Sequence, residues 1–164
     1  MEHATHGRGG SRRDAAIAVV HGSVTVDASV FLSAHNLAEV RQVESLRFLQ
    51  QLGASTQPVV LPTLVVPEVG ASAYRITGNA ETARSVALSV SEMPGVIFVP
   101  LNEQMAQESM EIALESALKG SDAIYAATAR RFGATLVTLD QQQRTRLPED
   151  VRALYPGEAL QDSQ

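Results

Sequence analysis

Four acidic residues, Asp27, Glu68, Asp122 and Asp140, stand at the ends of apolar or small-residue segments rather than in charged surface runs. Asp27 closes Val24-Thr25-Val26, and Asp140 closes Leu136-Val137-Thr138-Leu139. Asp122 follows Gly120-Ser121, and Glu68 is the single charge inside Leu64-Val65-Val66-Pro67-Glu68-Val69. A carboxylate beside a core is costly unless something pairs with it. The only basic partners expected near them are the arginines after Asp140. Carboxylates that converge cannot all stay ionised unaided, because like charges raise one another's pKa. A shared Mg²⁺ or Mn²⁺ would remove that conflict, since hard cations prefer oxygen ligands. The chemistry implied is activation of a water and stabilisation of charge on a phosphodiester. Histidine is not needed for it, and the four histidines all lie early in the chain.

Hydroxyls and arginines could assist. Thr138 precedes Asp140 by two, so an extended chain would turn both side chains to one face. Ser29 follows Asp27 by two, in the turn that enters a helix. Either could hold a water or orient a carboxylate. Arg144 and Arg146 could take substrate phosphates through forked hydrogen bonds. Each residue also has an ordinary reading. Asp27 could simply cap a helix, Asp122 could be a first-turn helix acid, and Asp140 a turn residue. Glu68 is the least ordinary, because its neighbours are apolar. Glu103, Glu108, Glu111 and Glu115 read as one solvated helix face.

These residues need elements to position them. The pattern predicts strands at 24–26, 58–61, 96–99 and 135–139, with a fifth at 151–154. Helices are expected over 30–32 and 40–52, from Thr63 or Val66 to Ile76, over 80–91, 102–118 and 120–132. Val43, Leu46, Phe48 and Leu49 are expected to share a buried face, and Gly53 to stop their helix. Short apolar strands alternating with helices imply an α/β fold with a parallel sheet covered on both faces. Ligands of such sheets collect at the carboxyl ends of the strands, where Asp27 and Asp140 fall.

The bulk composition sets limits. A chain of 164 residues is expected to form one domain over 23–160, between a flexible extension at 1–22 and a tail at 161–164. Apolar residues make up 45% and aromatics 4%, so Val, Leu, Ile and Ala must build the core. The lack of cysteine excludes disulfides and thiolate metal sites and fits a reducing cytoplasm. A formal charge of −5 argues against a simple basic nucleic-acid-binding module. Setting the four acids aside leaves −1, so much of the acidity belongs to one candidate site. No apolar run approaches the roughly 20 residues of a membrane span. Arg12-Arg13 resembles the start of a twin-arginine export signal, but the apolar segment after it is too short.

Taken together, the motifs resemble the PIN-domain ribonucleases, and among them the VapC-type toxins of toxin–antitoxin pairs. The resemblance runs from about residue 23 to 160. Val26-Asp27-Ala28-Ser29-Val30 is similar to the first motif, Glu68 with its flanks to the second, and Gly120-Ser121-Asp122-Ala123-Ile124-Tyr125-Ala126-Ala127-Thr128-Ala129 to the third. Leu136-Val137-Thr138-Leu139-Asp140 resembles the fourth, and Tyr155-Pro156-Gly157-Glu158-Ala159-Leu160 the common tail. The resemblance implies a three-layer α/β/α sandwich around a parallel sheet of four to five strands. It also implies Mg²⁺- or Mn²⁺-dependent endonucleolytic cleavage of RNA, with Asp27, Glu68, Asp122 and Asp140 as metal ligands. The partners it implies are an RNA substrate, a cognate antitoxin and a second copy in a homodimer. PIN domains that process RNA without being toxins, and non-catalytic PIN-like binding modules, fit the same motifs. A haloacid-dehalogenase-type phosphotransferase fits poorly: it needs a second Asp two residues after the first, where this chain has Ser29. Two features depart from the PIN pattern: Pro67 directly before Glu68, expected to kink or restart its helix, and the N-terminal extension.

Overall fold

The computed structural model describes residues 22–162. The expectations for His3, His6, His21, Arg12-Arg13 and the last two residues of the tail fall outside that range.

Five parallel strands form one sheet in the order β3-β2-β1-β4-β5, comprising β1 (Val24–Val26), β2 (Val59–Pro62), β3 (Val96–Val99), β4 (Thr135–Val137) and β5 (Ala153–Leu154). β1 lies at its centre, with Val24 beside Val59 on one side and Thr135 on the other. Buried on both faces, β1 and β2 read as continuous apolar runs, as parallel strands must. The helices are α1 (Ala28–His35), α2 (Gln42–Ala54), α3 (Val65–Thr77), α4 (Ala80–Ser91), α5 (Glu103–Ser116), α6 (Gly120–Phe132), α7 (Gln141–Arg146) and α8 (Pro156–Asp162). They cover the sheet as an α/β/α sandwich. Helical crossovers carry the chain from β1 to β2 to β3 in one direction, then back past β1 to β4. The order therefore reverses between β1 and β4. In an open parallel sheet, that reversal opens a crevice at the strands' carboxyl ends.

Local chemistry fixes most boundaries. Asn79 and Asn102 accept the Thr82 and Met105 N–H groups as N-caps of α4 and α5. Gly78 ends α3 in the left-handed region (φ 64°), where a side chain would be strained. Three expectations need correction. Gly53 does not stop α2, which runs on to Ala54; Ser55 ends it by giving both its N–H and its Oγ–H to the Leu52 carbonyl. The buried face of α2 carries Ser45, Phe48 and Leu52, while Val43 and Leu46 are exposed. Neither Thr63 nor Val66 caps α3; Leu64 stands at that place with no side-chain cap bond.

Pro67 leaves α3 intact. It lies in the first turn, where an N–H has no helical partner to lose, and Glu68 makes the regular bond to the Leu64 carbonyl. Among the described residues, no helix is long and apolar enough to cross a membrane.

Candidate active site

The reversal point of the sheet is stitched by three hydrogen bonds. The Asp27 N–H donates to the Val137 carbonyl (2.9 Å), which extends the β1–β4 pairing one residue past the strands. The Leu139 N–H donates to Ser29 Oγ (3.1 Å), and the Asp140 N–H to Thr138 Oγ1 (3.0 Å). Thr138 is thus fully buried, and its hydroxyl shapes the loop that presents Asp140. Because β4 ends at Val137, Thr138 and Asp140 are related by a turn, not by the extended alternation expected from their spacing.

Each acid is held by its own device. Asp27 is buried and caps α1 by accepting the Ser29 N–H (2.8 Å). The capping reading and the site reading of Asp27 are therefore compatible. Glu68 lies in the first turn of α3, where the helix dipole favours a carboxylate. Its Oε2 accepts the Tyr125 hydroxyl (2.8 Å), reached across the fold from α6. Asp122 is in the first turn of α6, with Ser121 Oγ at 3.5 Å. Asp140 caps α7 by accepting the Gln143 N–H (3.0 Å).

The electrostatics tie the four together. Burial pushes the Asp27 carboxyl up to about 6, the Ser29 hydrogen bonds oppose that, and Glu68 and Asp122 add to it. Burial also raises the Asp122 carboxyl, helped by Asp140 and opposed by Lys119. Asp27 thus feels Glu68 and Asp122, and Asp122 feels Asp140, a chain of like charges around the crevice. The nearby cation is Lys119 and not the arginines after Asp140. Arg144 pairs with Glu158 (3.1 Å), and Arg146 donates to the Ala117 carbonyl (2.8 Å) at the end of α5. None of the four acids joins an ion pair among the described residues. Glu108 leaves the solvated face expected for it and takes a forked pair from Arg131.

Two site residues are invisible to sequence reasoning. Tyr125 is fully buried; its hydroxyl donates to Glu68 and also lies beside the Ala28 backbone, so burial and two carboxylates drive its pKa up. Gln143 is fully buried between two of the acids. Its Nε2 donates to the Asp122 carbonyl (3.3 Å) and its N–H to Asp140, while its Oε1 has no partner. A tyrosine inside an apolar helix run and a glutamine in a Gln-Gln-Gln stretch give no hint of either role.

The donor chemistry suits a hard divalent cation. The carboxylates lie close enough to act on one another, one carboxyl is destabilised as an anion, and the buried Gln143 Oε1 has no partner among the described residues. Even so, among the described residues no three His, Asp or Glu side chains already stand close enough to hold one ion. A cavity of about 660 Å³ lies elsewhere; Gly22, Gln57, Thr135 and Arg152 among its lining put it at the amino-terminal edge of the sheet.

Comparison with known proteins follows the same lines. A family model described as the PIN domain matches residues 24–146. No curated protein matches the chain in sequence. Among solved structures, VapC20 of Mycobacterium tuberculosis, described as a sarcin–ricin loop cleaving toxin, is similar with a TM-score of 0.63 at 20% identity. That match covers 79% of this chain and 99% of that one. FitAcB from Neisseria gonorrhoeae gives a TM-score of 0.63 at 19% identity, covering 81% of this chain and 97% of that one. VapBC2 from Rickettsia felis, bound to a DNA fragment from its promoter, gives 0.61 at 15%, covering 80% and 97%. At these identities the likeness is one of fold.

Proposed function

The chain belongs to the PIN-domain family, and on that premise we propose that it is a divalent-metal-dependent endoribonuclease, the toxin of a toxin–antitoxin pair acting in the cytoplasm. The observation that carries the proposal is Asp27. It is a buried carboxyl at the sheet's reversal point, pushed up to about 6 by burial and by neighbouring acids, with no cation paired to it among the described residues. Asp27, Asp122 and Asp140 would hold Mg²⁺ or Mn²⁺, with Glu68 completing the set. The bound ion would lower the pKa of a water and offset charge on the phosphodiester. The chain's own residues set the geometry. Ser29 fixes the Asp27 carboxylate through its N–H and the β4 loop through its hydroxyl. Tyr125 aims Glu68, Thr138 shapes the turn carrying Asp140, and Gln143 ties α7 to α6. The likeness to solved toxins and their complexes supports an antitoxin partner for this chain, and the same proposal includes a homodimer.

The absence, among the described residues, of a ready three-ligand cluster favours a second reading, a non-catalytic PIN module. A cleavage assay separates the two. Labelled RNA incubated with the full chain and Mg²⁺ or Mn²⁺ should be cut internally, and EDTA, Asp27→Asn or Asp122→Asn should abolish the cutting. Undiminished metal-dependent cleavage by both variants would overturn the assignments, and no cleavage by the unaltered chain would favour the binding module.

A further inference from the structure

An acidic protein whose crevice is ringed by carboxylates repels the polyanion it is proposed to cut. A strand can approach only if cations stand beside the crevice. Most arginines with a described ion pair cannot serve, because each has an acid of its own: Arg130 has Asp150, Arg131 has Glu108 and Arg152 has Asp162. One group differs. The Arg41 guanidinium carbon lies 4.1 Å, and that of Arg144 4.2 Å, from the centre of the Tyr155 ring. Both guanidiniums therefore stack against the one ring. The stack holds two positive charges; Glu158 pairs with Arg144, accepts the Tyr155 N–H and also feels the Arg41 charge, while the Glu44 carboxylate lies against Gly157 nearby. Arg41 makes no ion pair among the described residues, and its side chain is exposed.

Its place in the fold is as telling. Tyr155 directly follows β5, whose Leu154 is in register with Val137, so the ring sits at the carboxyl edge of the sheet. Arg144 is one turn along α7 from Asp140, its N–H bonded to the Asp140 carbonyl. A guanidinium that stacks through its flat face keeps its N–H edge for a phosphate. For Arg144, Glu158 already occupies that edge; for Arg41, no described residue does.

Resting on the nuclease reading above, we infer that Arg41, stacked on Tyr155 and braced by Arg144, is a phosphate-binding ledge that leads a single-stranded RNA toward the acids. Arg41 carries the contact; Tyr155 and Arg144 position it. Arg146, expected as a phosphate ligand, is turned instead to the Ala117 carbonyl.

The test is fluorescence anisotropy of the full chain with a short labelled single-stranded RNA in EDTA, where cleavage cannot interfere, over a range of salt concentrations. Arg41→Ala should weaken binding about tenfold and lower the slope of log K against log salt by about 0.7. Arg41→Lys should keep the slope, since the charge stays, and lose part of the affinity, since the stacked plane goes. Tyr155→Leu should weaken binding as well. If that variant unfolds, the Arg41 pair still decides, because its exposed side chain holds no core in place. Unchanged affinity and slope in Arg41→Ala would overturn the inference. So would RNA binding left intact while capture of a protein partner is lost, since the ledge would then serve that partner. A chain that binds RNA through Arg41 but never cuts it with Mg²⁺ or Mn²⁺ defeats the nuclease reading and leaves the ledge standing. Normal cutting with an indifferent Arg41 does the reverse.

Discussion

Replacing Asp27 by Asn should stabilise the metal-free protein at neutral pH, although it removes a residue proposed as essential. Burial raises this carboxyl from 3.8 to about 6. A carboxyl whose pKa is raised by folding favours the folded state while protonated. That favour is full below pH 4 and is lost as pH climbs through about 6. At about 1.4 kcal/mol per pH unit, ionised Asp27 costs the metal-free fold on the order of 3 kcal/mol above pH 7. Asparagine keeps an oxygen to accept the Ser29 N–H and removes the charge. Its amide NH₂ lacks an assigned partner, at a cost of about 1 kcal/mol. The net gain should be roughly 2 kcal/mol at pH 8, or about 4–8 °C in Tm. At pH 4 only the amide cost remains, so the variant should be the less stable protein there. Thermal unfolding in EDTA at both pH values checks this. A variant less stable than the unaltered chain at pH 8, or a difference independent of pH, would refute the reasoning.

Three further perturbations address the supporting residues. Tyr125→Phe removes the hydroxyl aimed at Glu68; chemical denaturation should register a loss of about 1–2 kcal/mol, and Mn²⁺ affinity measured by calorimetry should fall about tenfold. Gln143→Leu keeps the volume but removes an unpaired acceptor, so Tm should shift little while Mn²⁺ affinity drops. Thr138→Val leaves the half-buried Asp140 N–H without its acceptor; denaturation should show a loss of about 1–2 kcal/mol, together with slower RNA cleavage.

Much of this was readable along the chain, because the governing forces are local. The strands at 24–26 and 96–99 and the helix at 80–91 announce themselves by apolar runs bounded by asparagine, glycine or proline, and the structure has the same bounds. The four acids were visible because charge at the end of an apolar run is rare. What escaped was short or distant. α7 and α8, of 6 and 7 residues, are too brief to show a period. The buried face of α2 was misjudged because Ser45, fully buried beside Ser33, gives no apolar mark, whereas Val43 gives one and is exposed. The Glu68–Tyr125 bond joins residues 57 positions apart, and the Arg41–Tyr155 stack links α2 to the approach of α8. No local pattern encodes either.

The most direct measurement of shared cation binding is Mn²⁺ titration by calorimetry of the unaltered chain beside Asp27→Asn and Asp122→Asn, at pH 8. The account predicts saturable binding to the unaltered chain and its loss in both variants. Equal binding by all three proteins, or none by the unaltered chain at millimolar Mn²⁺, would contradict it.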